Sequence, residues 1–523
     1  MYGTLRRILA CVVAALCATG PAFARQGGNG IEQEFLVRGD AKTRASIVAG
    51  LEERGFPTEL IEIYPSFSIA LFRFMPELTE DQLEAAIAAL AELTPDGLEF
   101  GSEVNSELTI DRGGGQTGSL WVTGLGESDF ENQYGLTLTR SDFCAQRATG
   151  SGVKIAIVDS GLVPNAPRAA GFSLDYGYTF VNGGGKGGVP VDAGDGIDNN
   201  GNSAADEGVG HGTFIASLLG LTAPGARHLH IKVLNDEGEC EMSDLLAALE
   251  ACIAEDVHVV NLSIVPLGTT TILKGVFTTL RQNGTIIVVS AGNSLNNPFG
   301  TNEGDLVLVG ATSDTDAVWT ASSAGEWVDI MAPGVTQFDD SGAPLPGRAI
   351  VGVIGVNPGG TAKFAAASGT SFAAAFISGA AACFRAANPS WPDDAPYSAG
   401  EVSPYQIGTL FHDALEASAV EIPKSPRKRI DAAPLVAGFD PVPRCPGDIV
   451  RATSGEGPEF RVNGLDLAEM LVRFGTVLTD PRRIERANLA PSKPKGSTPE
   501  VIDGSDLAAL LASWGFNPPK PCP

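Results

Sequence analysis

Ser371 sits in Gly369-Thr370-Ser371-Phe372-Ala373-Ala374, at the head of a run of small and apolar residues that continues to Cys383. Such a run reads as a helix buried on all sides. The serine hydroxyl then lies at the helix's positive end, where backbone N–H groups have no partner within the helix and can face a developing negative charge. A serine there is either a helix cap or a nucleophile, and the choice turns on partners elsewhere. Gly208-Val209-Gly210-His211-Gly212-Thr213 puts a histidine at the glycine-rich start of a second helix. Val153-Lys154-Ile155-Ala156-Ile157-Val158-Asp159 reads as a buried strand that delivers a carboxylate at its C-terminal end, where parallel sheets place their sites. Alone, such an aspartate is ordinarily a turn residue and such a histidine structural. Together the three side chains supply a nucleophile, a general base and an acid to orient the base.

The segments occur in the order Asp, His, Ser. Asp159-Ser160-Gly161, Gly210-His211-Gly212-Thr213 and Gly369-Thr370-Ser371 resemble the signature segments of subtilisin-like serine proteases. Val288-Val289-Ser290-Ala291-Gly292-Asn293 resembles the segment that carries that family's oxyanion asparagine. The resemblance covers roughly Asn132 to Asp431. It implies that Ser371 is the nucleophile, His211 the general base and then acid, Asp159 the group orienting the imidazole, and Asn293 with the Ser371 N–H the oxyanion hole. The implied function is peptide-bond hydrolysis through an acyl-enzyme intermediate. By the same resemblance, a protein or peptide substrate lies as an extended strand between Val233-Leu234-Asn235 and Ser263-Ile264-Val265. Val265 departs from the family's usual glycine and sets a branched side chain where the substrate backbone approaches. The alternative is a catalytically inactive binding or scaffold protein on the same fold, anchored by its C-terminal part.

These residues need a scaffold, and the intervening sequence supplies one. His230 to Leu234, Val257 to Ser263, Thr285 to Ala291 and Leu306 to Ala311 are short β-branched runs, and Ser243 to Ala254 carries leucines at helical spacing. The expected fold class is α/β, a parallel sheet flanked by helices, with a small α+β N-terminal domain and a small helical C-terminal module.

With 523 residues and 43% hydrophobic content the chain is long enough for several domains. Residues 1–24 read as a secretory signal: Arg6-Arg7, an apolar run from Ile8 to Thr19, and Ala22-Phe23-Ala24 before Arg25. The expected location is therefore secreted or at the cell surface. Residues 25–120 alternate strand, helix, strand pair and helix, at Glu34 to Val37, Lys42 to Glu53, Glu59 to Phe74 and Thr79 to Leu93. This pattern is similar to the inhibitor-like propeptides of subtilases, which implies that the chain's own N-terminal segment blocks the cleft until it is cut, between about Leu108 and Gly126. The catalytic domain is expected over residues 121–438. In residues 439–523, Val462-Asn463-Gly464-Leu465-Asp466 recurs as Ile502-Asp503-Gly504-Ser505-Asp506, a duplication that looks like a dockerin-like module and implies a protein or cell-surface partner. The spacing from Asp448 to Asp466, and from Asn488 to Asp506, exceeds that of a standard calcium loop of about 12 residues.

Between Asp159 and His211 the sequence carries Asp195, Asp198, Asn200, Asn202 and Asp206 among glycines, oxygen ligands at the spacing a structural calcium ion needs. The even count of cysteines after the signal suits disulfides, with Cys240 and Cys252, and Cys445 and Cys522, as expected pairs. The net charge of −27 argues against nucleic acid as a partner, because no basic patch is present to neutralise phosphates.

Overall fold

The structure is a computed structural model that describes residues 33–94, 102–104, 107–110, 121–166, 177–181, 189–266, 272–295, 306–388, 404–422, 425, 427–436, 477–478 and 500–501. The chain divides into two units, residues 1–145 with 149–436, and residues 146–148 with 437–523. In the second unit an antiparallel pair joins Val477–Leu478 to Glu500–Val501. The signal, the duplicated segments, Cys445 and Cys522 lie outside the described residues.

The first unit begins with β1 (Glu34–Arg38), α1 (Ala41–Glu53), β2 (Thr58–Tyr64), β3 (Ile69–Phe74), α2 (Glu80–Leu93) and β4 (Ser102–Val104). Asp40 caps α1 by accepting from the Thr43 N–H, and Thr79 with Gln82 forms a capping box on α2, so both helix starts are fixed by their own sequence. The strands form one sheet in the order β2-β3-β1-β4. Side chains alternate across it. Phe35, Val37, Ala70, Phe72 and Phe74 face α1 and α2 and make a core with Ile47, Leu51 and Leu90. Leu36, Ile69 and Leu71 face the other way and join Tyr64 and Phe67 in the core of the larger body that follows.

That body is built on a sheet of β6 (Lys154–Asp159), β7 (Gly177–Thr179), β8 (Arg227–Lys232), β10 (Val259–Leu262), β12 (Ile286–Ser290), β13 (Val307–Thr312), β14 (Ile330–Pro333), β17 (Val420–Glu421) and β18 (Lys428–Arg429). Its order is β17-β18-β14-β13-β12-β10-β6-β8-β7, and every pair is parallel except β17 with β18. The central strands are buried along their whole length, as an uninterrupted apolar sequence requires of a sheet covered on both faces. Helices α3 to α5 (Glu127–Glu131, Tyr134–Thr139, Ser141–Ala148) precede β6. Then come α6 (His211–Thr222), α7 (Met242–Ala254), α8 (Ile272–Gln282), α9 (Thr370–Ala386) and α10 (Pro404–Ser418). Helices α6 and α9 pack together, as do α7 and α8. A hairpin of β15 (Ile350–Val356) and β16 (Ala362–Ala367) lies against α6.

A three-stranded ribbon joins the two parts of this unit. β5 (Glu107–Thr109) lies between β9 (Glu239–Glu241) and β11 (Val265–Pro266), antiparallel to both. Leu108 and Ile110 are buried there. Tyr64 donates its hydroxyl to the Ser243 carbonyl at 3.2 Å, a second tie between the same parts.

The described cysteines, Cys144, Cys240, Cys252 and Cys383, are buried and form no disulfide among the described residues. The expected Cys240 to Cys252 pairing fails on geometry. Cys240 precedes α7 and Cys252 sits near its end, roughly 15 Å along the helix at 1.5 Å per residue, beyond the roughly 7 Å that a disulfide allows between Cα atoms.

Candidate active site

Asp159 is the last residue of β6 and His211 the first of α6, so a strand end and a helix start bring the two side chains together. His211 Nδ1 and Asp159 Oδ1 are 2.7 Å apart and wholly buried. Ser160 also gives its backbone N–H to Asp159 Oδ1. Gly212 follows the histidine because nothing larger fits: a Cβ there would stand 2.4 Å from the Gly161 carbonyl oxygen and 3.2 Å from Asp159 Oδ1. Gly210 caps α6 at φ 90°, a left-handed conformation that glycine adopts without strain. The imidazole Nε2 is buried and has no hydrogen-bond partner among the described residues. That nitrogen is the end of the ring a substrate-facing hydroxyl would use.

Ser371 is the second residue of α9, whose first turn packs beside the histidine. The ring of Phe372 is centred 5.7 Å from that of His211 and 4.5 Å from that of Phe214. The rim is completed by Trp121, stacked on Phe214 at 5.4 Å and donating its Nε1–H to the Val209 carbonyl. These aromatics exclude water from the imidazole.

Asn293 follows β12 at the same edge of the sheet. Its Oδ1 accepts from the backbone N–H and the hydroxyl of Thr370, each at 2.9 Å, which fixes the amide with its nitrogen as the outward donor. The helix is tied to β10 as well, through Ser378 Oγ donating to Asn261 Oδ1 and Asn261 Nδ2 donating to Ser263 Oγ. Thus Asp159, His211, Ser371, Asn293 and Ser263 gather at the C-terminal edge of the sheet, bringing a carboxylate, an imidazole, two hydroxyls and an amide together there.

The expected substrate-lining segments divide. Val265 pairs with Thr109 of β5, and Ile264 is buried behind it. Val233 and Leu234 do not reach the ribbon: both are fully buried, and the strand that pairs with Leu108 is β9, where Cys240 is its partner. Asn235 closes the turn between, its Oδ1 accepting from the Glu239 N–H. The ribbon edge thus begins a few residues further along, because Val233 and Leu234 continue the apolar course of β8 into the core. Ile110 adds a bond from its N–H to the Gly238 carbonyl at 3.0 Å.

The acidic loop also differs in detail. Asp195 and Asp206 meet as expected, but their third companion is Asp236, with ligand atoms of the three within 4.8 Å of one another. Asp198 turns inward to its own loop, accepting from the N–H groups of Gly201, Asn202 and Ser203. Asn200 donates to Glu239 at 3.0 Å, and Asn202 to Glu207. Asp236 was not legible in the sequence because it comes from the turn between β8 and β9, far along the chain.

A model of the subtilase family matches residues 150–421. The chain belongs to the subtilase family. Subtilisin amylosacchariticus from Bacillus subtilis subsp. amylosacchariticus is 26% identical over 283 residues, 51% of this subtilase and 64% of that protein. Subtilisin BL from Lederbergia lenta is 28% identical over 254 residues, 46% of this chain and 80% of that protein. The match thus spans about 64% of the length of the first of these relatives. Fervidolysin from Fervidobacterium pennivorans, described as a keratinolytic enzyme related to subtilisin, is a structural neighbour at a TM-score of 0.55 and 20% identity, covering 78% of this subtilase and 61% of fervidolysin. That likeness establishes the subtilisin-like α/β fold.

Proposed function

We propose that this subtilase is an exported serine endopeptidase that hydrolyses peptide bonds through an acyl-enzyme. The observation that carries the reading is the buried 2.7 Å contact between His211 Nδ1 and Asp159 Oδ1, with Ser371 at the start of the neighbouring helix. Ser371 Oγ attacks the substrate carbonyl while His211 Nε2 takes its proton, and Asp159 stabilises the imidazolium that forms. Asn293 Nδ2 and the Ser371 N–H receive the oxyanion. The imidazolium then protonates the leaving amine, and water repeats the sequence on the ester to release the acid and restore the serine.

The N-terminal domain is the chain's own inhibitor in this reading. Its tail, β5, fills the ribbon between β9 and β11 where a substrate strand would add, so the cleft is satisfied by the chain's own backbone. Cleavage between Ile110 and Trp121 would release it. Calcium fits the carboxylates of Asp195, Asp206 and Asp236, a hard-oxygen set of the kind the ion prefers. Bound there, it would neutralise the cluster and brace the loop that precedes His211. The signal directs export, and the C-terminal duplication attaches the enzyme to a protein or surface.

Secreted, processed protein incubated with casein and with a serine-directed fluorophosphonate tests the activity. Cleavage, with labelling at Ser371 that vanishes in Ser371→Ala, is expected. A folded protein that neither cleaves nor labels is a scaffold.

A further inference from the structure

Asp192 is buried at the edge of the acidic loop, 1% exposed, and belongs to none of the roles assigned above. Its Oδ2 accepts two hydrogen bonds, from the Gly210 N–H at 2.7 Å and from the Ser160 hydroxyl at 2.8 Å. Ser160 follows Asp159, and Gly210 precedes His211. Ser160 Oγ in turn accepts from the Gly212 N–H at 3.0 Å, so the residues on both sides of the histidine are held through one carboxylate. Lys232 lies behind it, its Nζ 3.8 Å from Asp192 Oδ1 and donating to the carbonyls of Ser160 and Leu234 at 2.8 Å each. The Asp192 N–H bonds the Leu162 carbonyl, which fixes the carboxylate from its own backbone.

We propose that Asp192 is a positioning residue for the peptidase reaction, holding the end of β6 and the start of α6 at the separation that Asp159 and His211 need. The proposal rests on the peptidase reading of the same site. Asp192 touches neither reacting partner. It acts by fixing two backbones whose drift apart would lengthen the carboxylate to imidazole contact, and a misplacement of about 1 Å in such a constellation costs on the order of 10²-fold in rate. The ionisable groups around it are Asp159 on β6 and Lys232 on β8, with Asp236 beyond Lys232, and His211 follows its partner Gly210 on α6. Burial holds its carboxyl up at about 6 although Lys232, Gly210 and Ser160 favour the ionised form. Ionised, it places a negative charge beside the residues that flank the histidine.

The test compares processed parent enzyme with Asp192→Ala and Asp192→Asn on a short chromogenic peptide, with active sites counted by fluorophosphonate labelling. For Asp192→Ala, kcat per labelled site should fall on the order of 10²-fold with KM nearly unchanged. The acid limb of kcat/KM should move to lower pH, because loss of the negative charge and the Lys232 charge left uncompensated both disfavour the imidazolium. Asp192→Asn keeps the shape and one acceptor, so it should fold, lose less in kcat and show the same pH displacement. Unchanged kcat per labelled site and an unmoved acid limb in Asp192→Asn would overturn the proposal, even if the thermal midpoint drops. A parent that neither cleaves nor labels would instead overturn the peptidase reading.

Discussion

Ser66, at the bend between β2 and β3, gives both its backbone N–H and its hydroxyl to the carboxylate of Glu250 on α7, the hydroxyl at 2.6 Å. Phe67 beside it is buried in the same core as the leucines of α7. The N-terminal domain is therefore held at two places, this bend and the β5 ribbon.

Removing the acid should loosen that hold. Hydrogen bonds to a charged group contribute about 1.5 to 3 kcal/mol, so Glu250→Ala should raise the inhibition constant of the separately added N-terminal domain by roughly ten- to a hundredfold. Titration of processed enzyme with that domain measures it. An unchanged constant would show that the ribbon alone decides binding.

Asn293 offers a way to separate donor from scaffold. Asn293→Ala removes the amide donor but also the acceptor for the Thr370 N–H and hydroxyl. Asn293→Asp retains the acceptor and removes only the donor. Both should lower kcat by at least about 10²-fold, the scale found when the oxyanion asparagine of subtilisin is removed. Only Asn293→Ala should also lower the thermal midpoint, because it leaves a buried N–H unpaired.

For the cation, Asp236→Asn should abolish the gain in thermal midpoint that added calcium gives and a chelator withdraws. Asp198→Asn should lower the midpoint with and without calcium alike, since Asp198 serves its own loop's N–H groups. Scanning calorimetry of the parent and both variants, with calcium and with chelator, distinguishes them. Equal calcium gains in parent and Asp236→Asn would remove Asp236 from the ligand set.

Acid should weaken the fold through the buried histidines of β8. Burial lowers His230 to about 3 and His228 well below its ordinary value, with the neighbouring His230 adding to the latter. The unfolded chain binds protons that the folded chain refuses, so stability is full above about pH 6.5 and falls as the pH drops from there toward 3. His230→Leu should flatten that fall when urea midpoints are compared across this range. An identical slope in the variant would assign acid sensitivity to other groups.

What was readable in the sequence was whatever a short segment settles by itself. The apolar run into Asp159, the glycines around His211 and the small residues after Ser371 each state their element and its end, and β6, α6 and α9 form there. The strand and helix pattern of residues 34–93 was legible for the same reason, since period and caps are local. Asp236, Asp192 and the β9 edge were not, because each gains its place from a partner distant in the chain: Asp206, Gly210 and Leu108. Cys240 and Cys252 misled by closeness in sequence, where the helix between them sets the distance.

The β5 ribbon is made of main-chain pairings on both sides, and such pairings occur with almost any side chain. On the proposed reading, the covalently joined tail competes with substrate within the molecule, at an effective concentration set by that join. Once the join is cut, the same contacts become an ordinary bimolecular equilibrium. Latency in this chain would then be a matter of dilution: the cut arms the enzyme, and the volume it is released into decides when it fires.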